Sequence, residues 1–273
     1  DALTIEYARR NAEKLPELMT GRVPAFTLLF PEGGMRLARA LYRESVTARY
    51  QHRAVAALVG EIARRRRPER GRERGPERGP VRILEVGAGT GATTDAVLPA
   101  LDGIPADYRY TDVSRYFLDR ARQELRDRPW VRFARLDIDA DPGPQGHAPG
   151  TFDVVIGGGV LNAARDTDAS VRWLARLLKP GGWLVLSEPT AEEHWVMTSL
   201  AFMMTAPGDG RAETGATFLT LGQWHAVLDR AGLRRAVTLP GAGHPLERLG
   251  HRVFAATTGG GPGPAPSEEP PNL

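Results

Sequence analysis

The stretch Ile83-Leu84-Glu85-Val86-Gly87-Ala88-Gly89-Thr90-Gly91 constrains the chain more than any other. An apolar, strand-like run drives straight into three glycines at alternate positions. Residues 92–98 then have helical composition. Glycine lets the backbone turn sharply there and lets a ligand approach peptide atoms closely. The same residues, Gly87 to Ala92, satisfy the dinucleotide pattern G-x-G-x-x-A. The motif alone therefore implies a nucleotide-type cofactor without saying which.

The rest of the chain fits an α/β layout. Short apolar runs at 81–86, 106–111, 131–136, 152–156 and 183–187 alternate with helix-like segments, including 115–127 and 169–178. In the last of these Val171, Leu174 and Leu178 share a face, and Asp168 is expected to cap its start. Lys179-Pro180-Gly181-Gly182 has the chemistry of a turn, with Pro at its second position and Gly at its third. Two further runs, 234–239 and 251–256, bring the strand count to seven. The expected fold is a Rossmann-like, mostly parallel seven-stranded sheet with helices on both faces. Residues 1–66 read as helical, 67–80 as a linker, 81–257 as the core and 258–273 as a disordered tail.

Charge excludes less than the pI of about 9.5 suggests. Residues 64–78 hold eight Arg and three Glu; without this net +5 the formal charge falls from +3 to −2. The stretch is a low-complexity repeat without aromatics, unlike a nucleic-acid surface. No nucleic-acid partner is expected. No apolar run approaches a membrane span. Cys is absent, which removes thiolate metal sites and Cys nucleophiles and fits a cytoplasmic setting. No His/carboxylate spacing suggests a metal. Beginning at Asp1-Ala2-Leu3 with no Met, the chain reads as a piece of something longer.

Two carboxylates refine the cofactor. Asp112 lies 21 residues after Gly91, at the tip of the second strand, where it could accept from both ribose hydroxyls or cap the helix that follows. Asp137, after the third strand, could accept from an adenine amino group while Ile138 packs on the ring. With Phe152-Asp153-Val154-Val155-Ile156 and the 179–182 turn in order, residues 81–257 resemble the class I methyltransferases dependent on S-adenosylmethionine (SAM). Tyr110-Thr111-Asp112-Val113-Ser114, Val160-Leu161-Asn162-Ala163-Ala164-Arg165-Asp166 and Leu28-Leu29-Phe30-Pro31-Glu32-Gly33 narrow the likeness. They resemble C-methyltransferase domains of polyketide synthases and methyltransferase domains embedded in nonribosomal peptide synthetases, including thiazoline-forming siderophore systems. The resemblance implies SAM as cofactor, held by Glu85, Gly87, Gly89, Gly91, Asp112, Val113, Asp137, Ile138 and Gly158. It implies that the N-terminal helices act as a lid. It also implies neighbouring synthetase domains and a substrate on a carrier-protein phosphopantetheine arm.

One departure bears on mechanism. The polyketide family carries a catalytic His in Val-Leu-His-Ala; Asn162 stands there, while the family's partner carboxylate aligns with Glu188. Carbon beside a thioester must lose a proton before it can be methylated. Reacting groups in such sheets gather at the carboxyl ends of the strands, which selects Asn162, Glu188, His194 and His244. C-methylation is the expected reaction, with Glu188 as first choice for base. Methylation of nitrogen or oxygen, a vestigial non-catalytic module, an NAD-dependent reductase and a nucleic-acid methylase are the alternatives. The remaining histidines, His52, His147, His225 and His251, lack supporting neighbours or read as packing.

Overall fold

The computed structural model describes residues 2–66, 79–192 and 194–259. Residues 67–78 of the expected linker and 260–273 of the expected tail lie outside the described residues. Seven strands form one sheet: β1 (Val81–Val86), β2 (Ala106–Asp112), β3 (Val131–Arg135), β4 (Phe152–Gly158), β5 (Leu178–Pro189), β6 (Arg234–Leu239) and β7 (His251–Thr257). Their order is β3-β2-β1-β4-β5-β7-β6. All pairings are parallel except those of β7, which runs antiparallel to both β5 and β6. The order reverses between β1 and β4, so the crevice at their carboxyl ends is where an α/β sheet of this kind takes a ligand.

The helices are α1 (Ala2–Glu13), α2 (Leu15–Met19), α3 (Ala25–Leu29), α4 (Arg36–Arg39), α5 (Val46–Arg65), α6 (Ala92–Ala100), α7 (Arg115–Glu124), α8 (Thr167–Leu177), α9 (His194–Met197), α10 (Gly210–Thr214) and α11 (Leu221–Arg230). One sheet face packs Val55 and Val59 of α5, Val97 and Leu98 of α6, and Leu118 of α7 against Ile83, Tyr108 and Val154. The other packs Val171 and Leu174 of α8 and Trp224 and Val227 of α11 against Leu84, Val155 and Phe254. β1 and β4 are apolar on both sides because both faces are covered.

Two local expectations are corrected. Asp166, not Asp168, caps α8, accepting from Ala169 N at 2.9 Å. Asp168 sits in the first turn of the helix and pairs with Arg230 of α11. The turn at 179–182 does not precede a strand but interrupts one: the register with β4 jumps from Phe152↔Leu178 to Val154↔Trp183. Pro180 and Gly181 supply the turn geometry, Gly181 at φ 72°, while hydrophobic residues on either side stay in the sheet.

The N-terminal helical segment divides between two cores. α5 belongs to the sheet's own core. A separate small core of Tyr7, Leu29, Phe30, Leu37 and Leu41 is completed by Leu200 and Met203, which follow β5. This small core thus draws on two segments, one N-terminal and one inserted between β5 and α11. Between α4 and α5 lies a π-helical turn, Ala40–Glu44, a feature that recurs at functional sites. Here it delivers Arg43, whose Nη2 donates to Thr90 O at 2.6 Å and pairs with Asp95. The N-terminal segment is thereby tied to the Gly-rich turn.

Candidate active site

Gly87, Gly89 and Gly91 have φ of 56°, 55° and 76°, which other residues rarely adopt. Space adds a second restriction nearby. A Cβ on Gly87 would lie 2.1 Å from Cγ2 of Val160, and one on Gly158 would lie 2.1 Å from Oγ1 of Thr93. Backbone rather than side chain therefore faces the crevice. Tyr110 donates to Gly89 O, and Gly89 N donates to Asp112 Oδ2, each at 2.8 Å. The other Asp112 oxygen accepts from Ser114 N at 2.7 Å. Ser114 holds the cap position of α7, so Asp112 is not the cap residue. Each carboxylate oxygen keeps a second lone pair, enough to receive two ribose hydroxyls. Burial raises the Asp112 pKa, and the N–H bonds from Ser114 and Gly89 pull it back.

Glu85 does not face the crevice. It is buried beneath the turn, where its Oε2 accepts from Thr94 at 2.5 Å and Tyr108 at 2.6 Å. Burial pushes its pKa up to about 7, against those two bonds. The expected cofactor contact is replaced by support of the turn from β1, β2 and α6. Val113, half exposed, lies beyond Asp112 at the β2 tip. Past β3, Gln145 clamps Asp137 by accepting from its N at 2.7 Å and donating to its O at 2.9 Å. Ile138 is partly buried against the core, and its carbonyl accepts from Ser170.

The segment after β4 carries the most unexpected geometry. Glu188, at the end of β5, is fully buried and accepts four N–H bonds: Val160 N at 3.1 Å, Leu161 N at 2.9 Å, Asn162 N at 3.0 Å and Asn162 Nδ2 at 2.8 Å. Burial pushes its pKa up to about 7, while the four donors pull it down. A protonated carboxyl would turn its hydrogen toward one of those donors. Glu188 is therefore an anchor with no lone pair spare for a substrate proton. Because Nδ2 of Asn162 faces the carboxylate, its Oδ1 is the free end of the amide.

The two histidines proposed beside it stand elsewhere. His194 starts α9 and is exposed. His244 caps a 3-10 turn, its Nδ1 accepting from Leu246 N at 3.1 Å, with its ring 5.5 Å from that of Tyr50. Among the described residues neither shares a hydrogen bond with Glu188 or Asn162. His225 packs edge-on to Phe254, as expected of a packing residue.

Sequence reasoning passed over His52. Its Nε2 meets the carbonyl of Tyr42 at 2.7 Å and its Nδ1 meets Thr93 Oγ1 at 3.2 Å. A carbonyl only accepts, so Nε2 carries the hydrogen and Nδ1 receives the Thr93 hydroxyl. Burial holds its pKa below the usual range, and the Tyr42 bond pulls the other way. The signal was available in the spacing of Ala48, His52, Val55 and Val59, one helical face otherwise apolar. Next to it, Gln51 Oε1 accepts from Ser187 at 3.0 Å. Gly158 is the sheet partner of Ser187 and faces Thr93. Two consecutive α5 residues thus pin the helix on either side of Gly158.

Comparison with known proteins agrees with this geometry. A family profile described as a methyltransferase domain matches residues 84–184. Pyochelin synthetase PchF of Pseudomonas aeruginosa is 37% identical over 257 residues, 92% of this chain and 14% of that protein. Polyketide synthase ThaG of Burkholderia thailandensis is 42% identical over 189 residues, 67% of this chain and 3% of that protein. The CurJ carbon methyltransferase superposes with a TM-score of 0.83 at 29% identity, over 95% of this chain and 67% of that one. This chain is a class I SAM-dependent methyltransferase domain.

SAM is its cofactor. When bound, SAM supplies an electrophilic methyl group and the leaving group. The residues present fit it: glycine backbone at the β1–β4 crevice, Asp112 with spare lone pairs, and Asp137 with Ile138 at the next strand tip. This methyltransferase spans only a small part of the synthetases it resembles. Among the described residues no cluster suits a metal ion, and no helix is long and apolar enough to cross a membrane.

Proposed function

We propose that this methyltransferase domain acts within an assembly line, on an intermediate held as a thioester on a carrier-protein phosphopantetheine arm, and that it methylates nitrogen. The observation that carries the nitrogen is the Glu188–Asn162 pair. An amide takes no proton at neutral pH, and Glu188 is saturated by four N–H donors. The Nδ1 atoms of His52 and His244 each receive a hydrogen bond already. A site in which no described residue is placed as a base suits a nucleophile that brings its own electron pair. A neutral secondary amine forms the new N–C bond as the methyl leaves sulfur, and the resulting ammonium gives its proton to water afterwards. Carbon beside a thioester would need that proton removed first.

A second reading is supported by the likeness to the CurJ carbon methyltransferase. A thiazoline carbon flanked by an imine and a thioester is acidic enough to need little help, and would restore the carbon reaction without a placed base. Carrier protein loaded with a secondary amine thioester and with a thiazoline thioester separates the two. Intact-protein mass spectrometry detects transfer, and fragmentation locates the methyl. Nitrogen methylation of the amine is expected. Transfer only to the thiazoline carbon would replace the first reading with the second. Equal turnover of free amines and no transfer to either loaded carrier would refute the tethered substrate.

A further inference from the structure

We infer that Arg211, held by Asp209, is a positioning residue that sets Asn162 in the acceptor site and couples it to the segment inserted between β5 and α11. The inference rests on the proposed function, and adds that the Oδ1 end of Asn162, turned away from Glu188, faces the acceptor. Arg211 lies on α10, 49 residues from Asn162 in sequence, and is 2% exposed. Its guanidinium grips Asp209 in a fork, Nε to Oδ1 at 2.8 Å and Nη2 to Oδ2 at 2.9 Å. Its outer N–H groups then donate to two backbone carbonyls after β4: Nη1 to Asn162 O at 2.7 Å and Nη2 to Ala164 O at 2.5 Å. Asp209 also accepts from Thr167 N at 3.0 Å. Burial raises the Asp209 pKa, but the bonds from Arg211 and Thr167 outweigh it and hold it down to about 2.

Asn162 is thereby fixed from both sides. Glu188 takes its N and Nδ2, and Arg211 takes its O. Around it, Ala164 O, Arg165 N and Arg165 O are bound by Arg211, Asp139 and Gly208. Stability alone does not call for this arrangement, since well-packed apolar groups often replace a buried ion pair without loss. A planar fork does what an apolar residue cannot: it fixes two carbonyls in direction as well as distance. Arg211 belongs to the segment whose Leu200 and Met203 complete the small core. The clamp therefore relays the placement of that segment to Asn162, whose amide oxygen accepts no hydrogen bond among the described residues.

Arg211→Lys keeps the charge and loses the fork. Expected for the full domain is a 10–100-fold fall in kcat with KM for the carrier-bound acceptor and Kd for the demethylated cofactor within about threefold. The decisive measurement is the double-mutant cycle with Asn162→Ala. If Arg211 acts through Asn162, Arg211→Lys costs less than threefold more in the Asn162→Ala background. The same full loss in both backgrounds, or no loss in the single variant, would overturn the positioning role. A slow Asn162→Ala enzyme with a fully additive Arg211→Lys loss rejects the clamp and spares the site reading. A normal Asn162→Ala enzyme rejects both. If the Lys variant does not fold, Asp209→Asn weakens the same fork and carries the identical cycle.

Discussion

Replacing Glu188 by Gln separates an anchor from a base. Gln keeps the shape but offers one oxygen and one NH2 group. The oxygen can still serve Asn162 N and Nδ2. The NH2 group then points at Val160 N and Leu161 N, two donors that lose their acceptor. A buried donor left unsatisfied costs about 1–3 kcal/mol. Relief of a fully desolvated charge offsets part of that, leaving a net loss of about 2–4 kcal/mol. For a domain of this size the melting temperature should fall by roughly 5–15 °C. Thermal unfolding followed by circular dichroism measures it. Turnover should also fall, because Asn162 loosens, but the pH–rate profile should keep its shape. The anchor argument is refuted by the opposite pattern: an unchanged melting temperature, turnover down 10²-fold or more, and loss of a limb near pH 7.

Two further outcomes test the cofactor site and its support. Asp112→Ala should weaken SAM binding by about 1–3 kcal/mol, roughly 5–150-fold, in calorimetry, and NAD should not bind the parent; unchanged affinity would remove Asp112 from the ribose position. Glu85 has its pKa pushed up to about 7 from 4.5, so the folded state holds its proton more tightly than the unfolded one, and stability is lost as pH rises from about 4.5 to about 7. The difference corresponds to at most on the order of 3 kcal/mol, and Glu188, also pushed up to about 7, acts in the same direction. Asp209, held down to about 2, acts in the other direction only below about pH 4. Urea unfolding at pH 5 and 7.5 should show the fall, and Glu85→Gln should shrink it; an unaltered slope in that variant would show that Glu85 is not its source.

From the sequence came the cofactor, through the family resemblance, and the sheet and the Gly-rich turn directly. Those features are local. Strand alternation, glycine at positive φ and a carboxylate a fixed distance beyond the turn are written in consecutive residues, so Gly87, Gly89, Gly91 and Asp112 were legible without a fold. Even the departure at Asn162 was visible as a letter. Its consequence was not. Whether Glu188 is a base or an anchor depends on which donors surround it, and they come from residues 26 to 28 positions away. Arg211 and Asp209 lie in a segment with no periodic pattern, and only packing buries the pair and turns it toward the chain after β4. His52 reads as one more helical residue until α5 packs against α6 and brings its ring to Thr93. Spacing fixes which way a side chain leaves its own element. Burial and convergence of separate elements fix which lone pairs remain free, and those choose the chemistry.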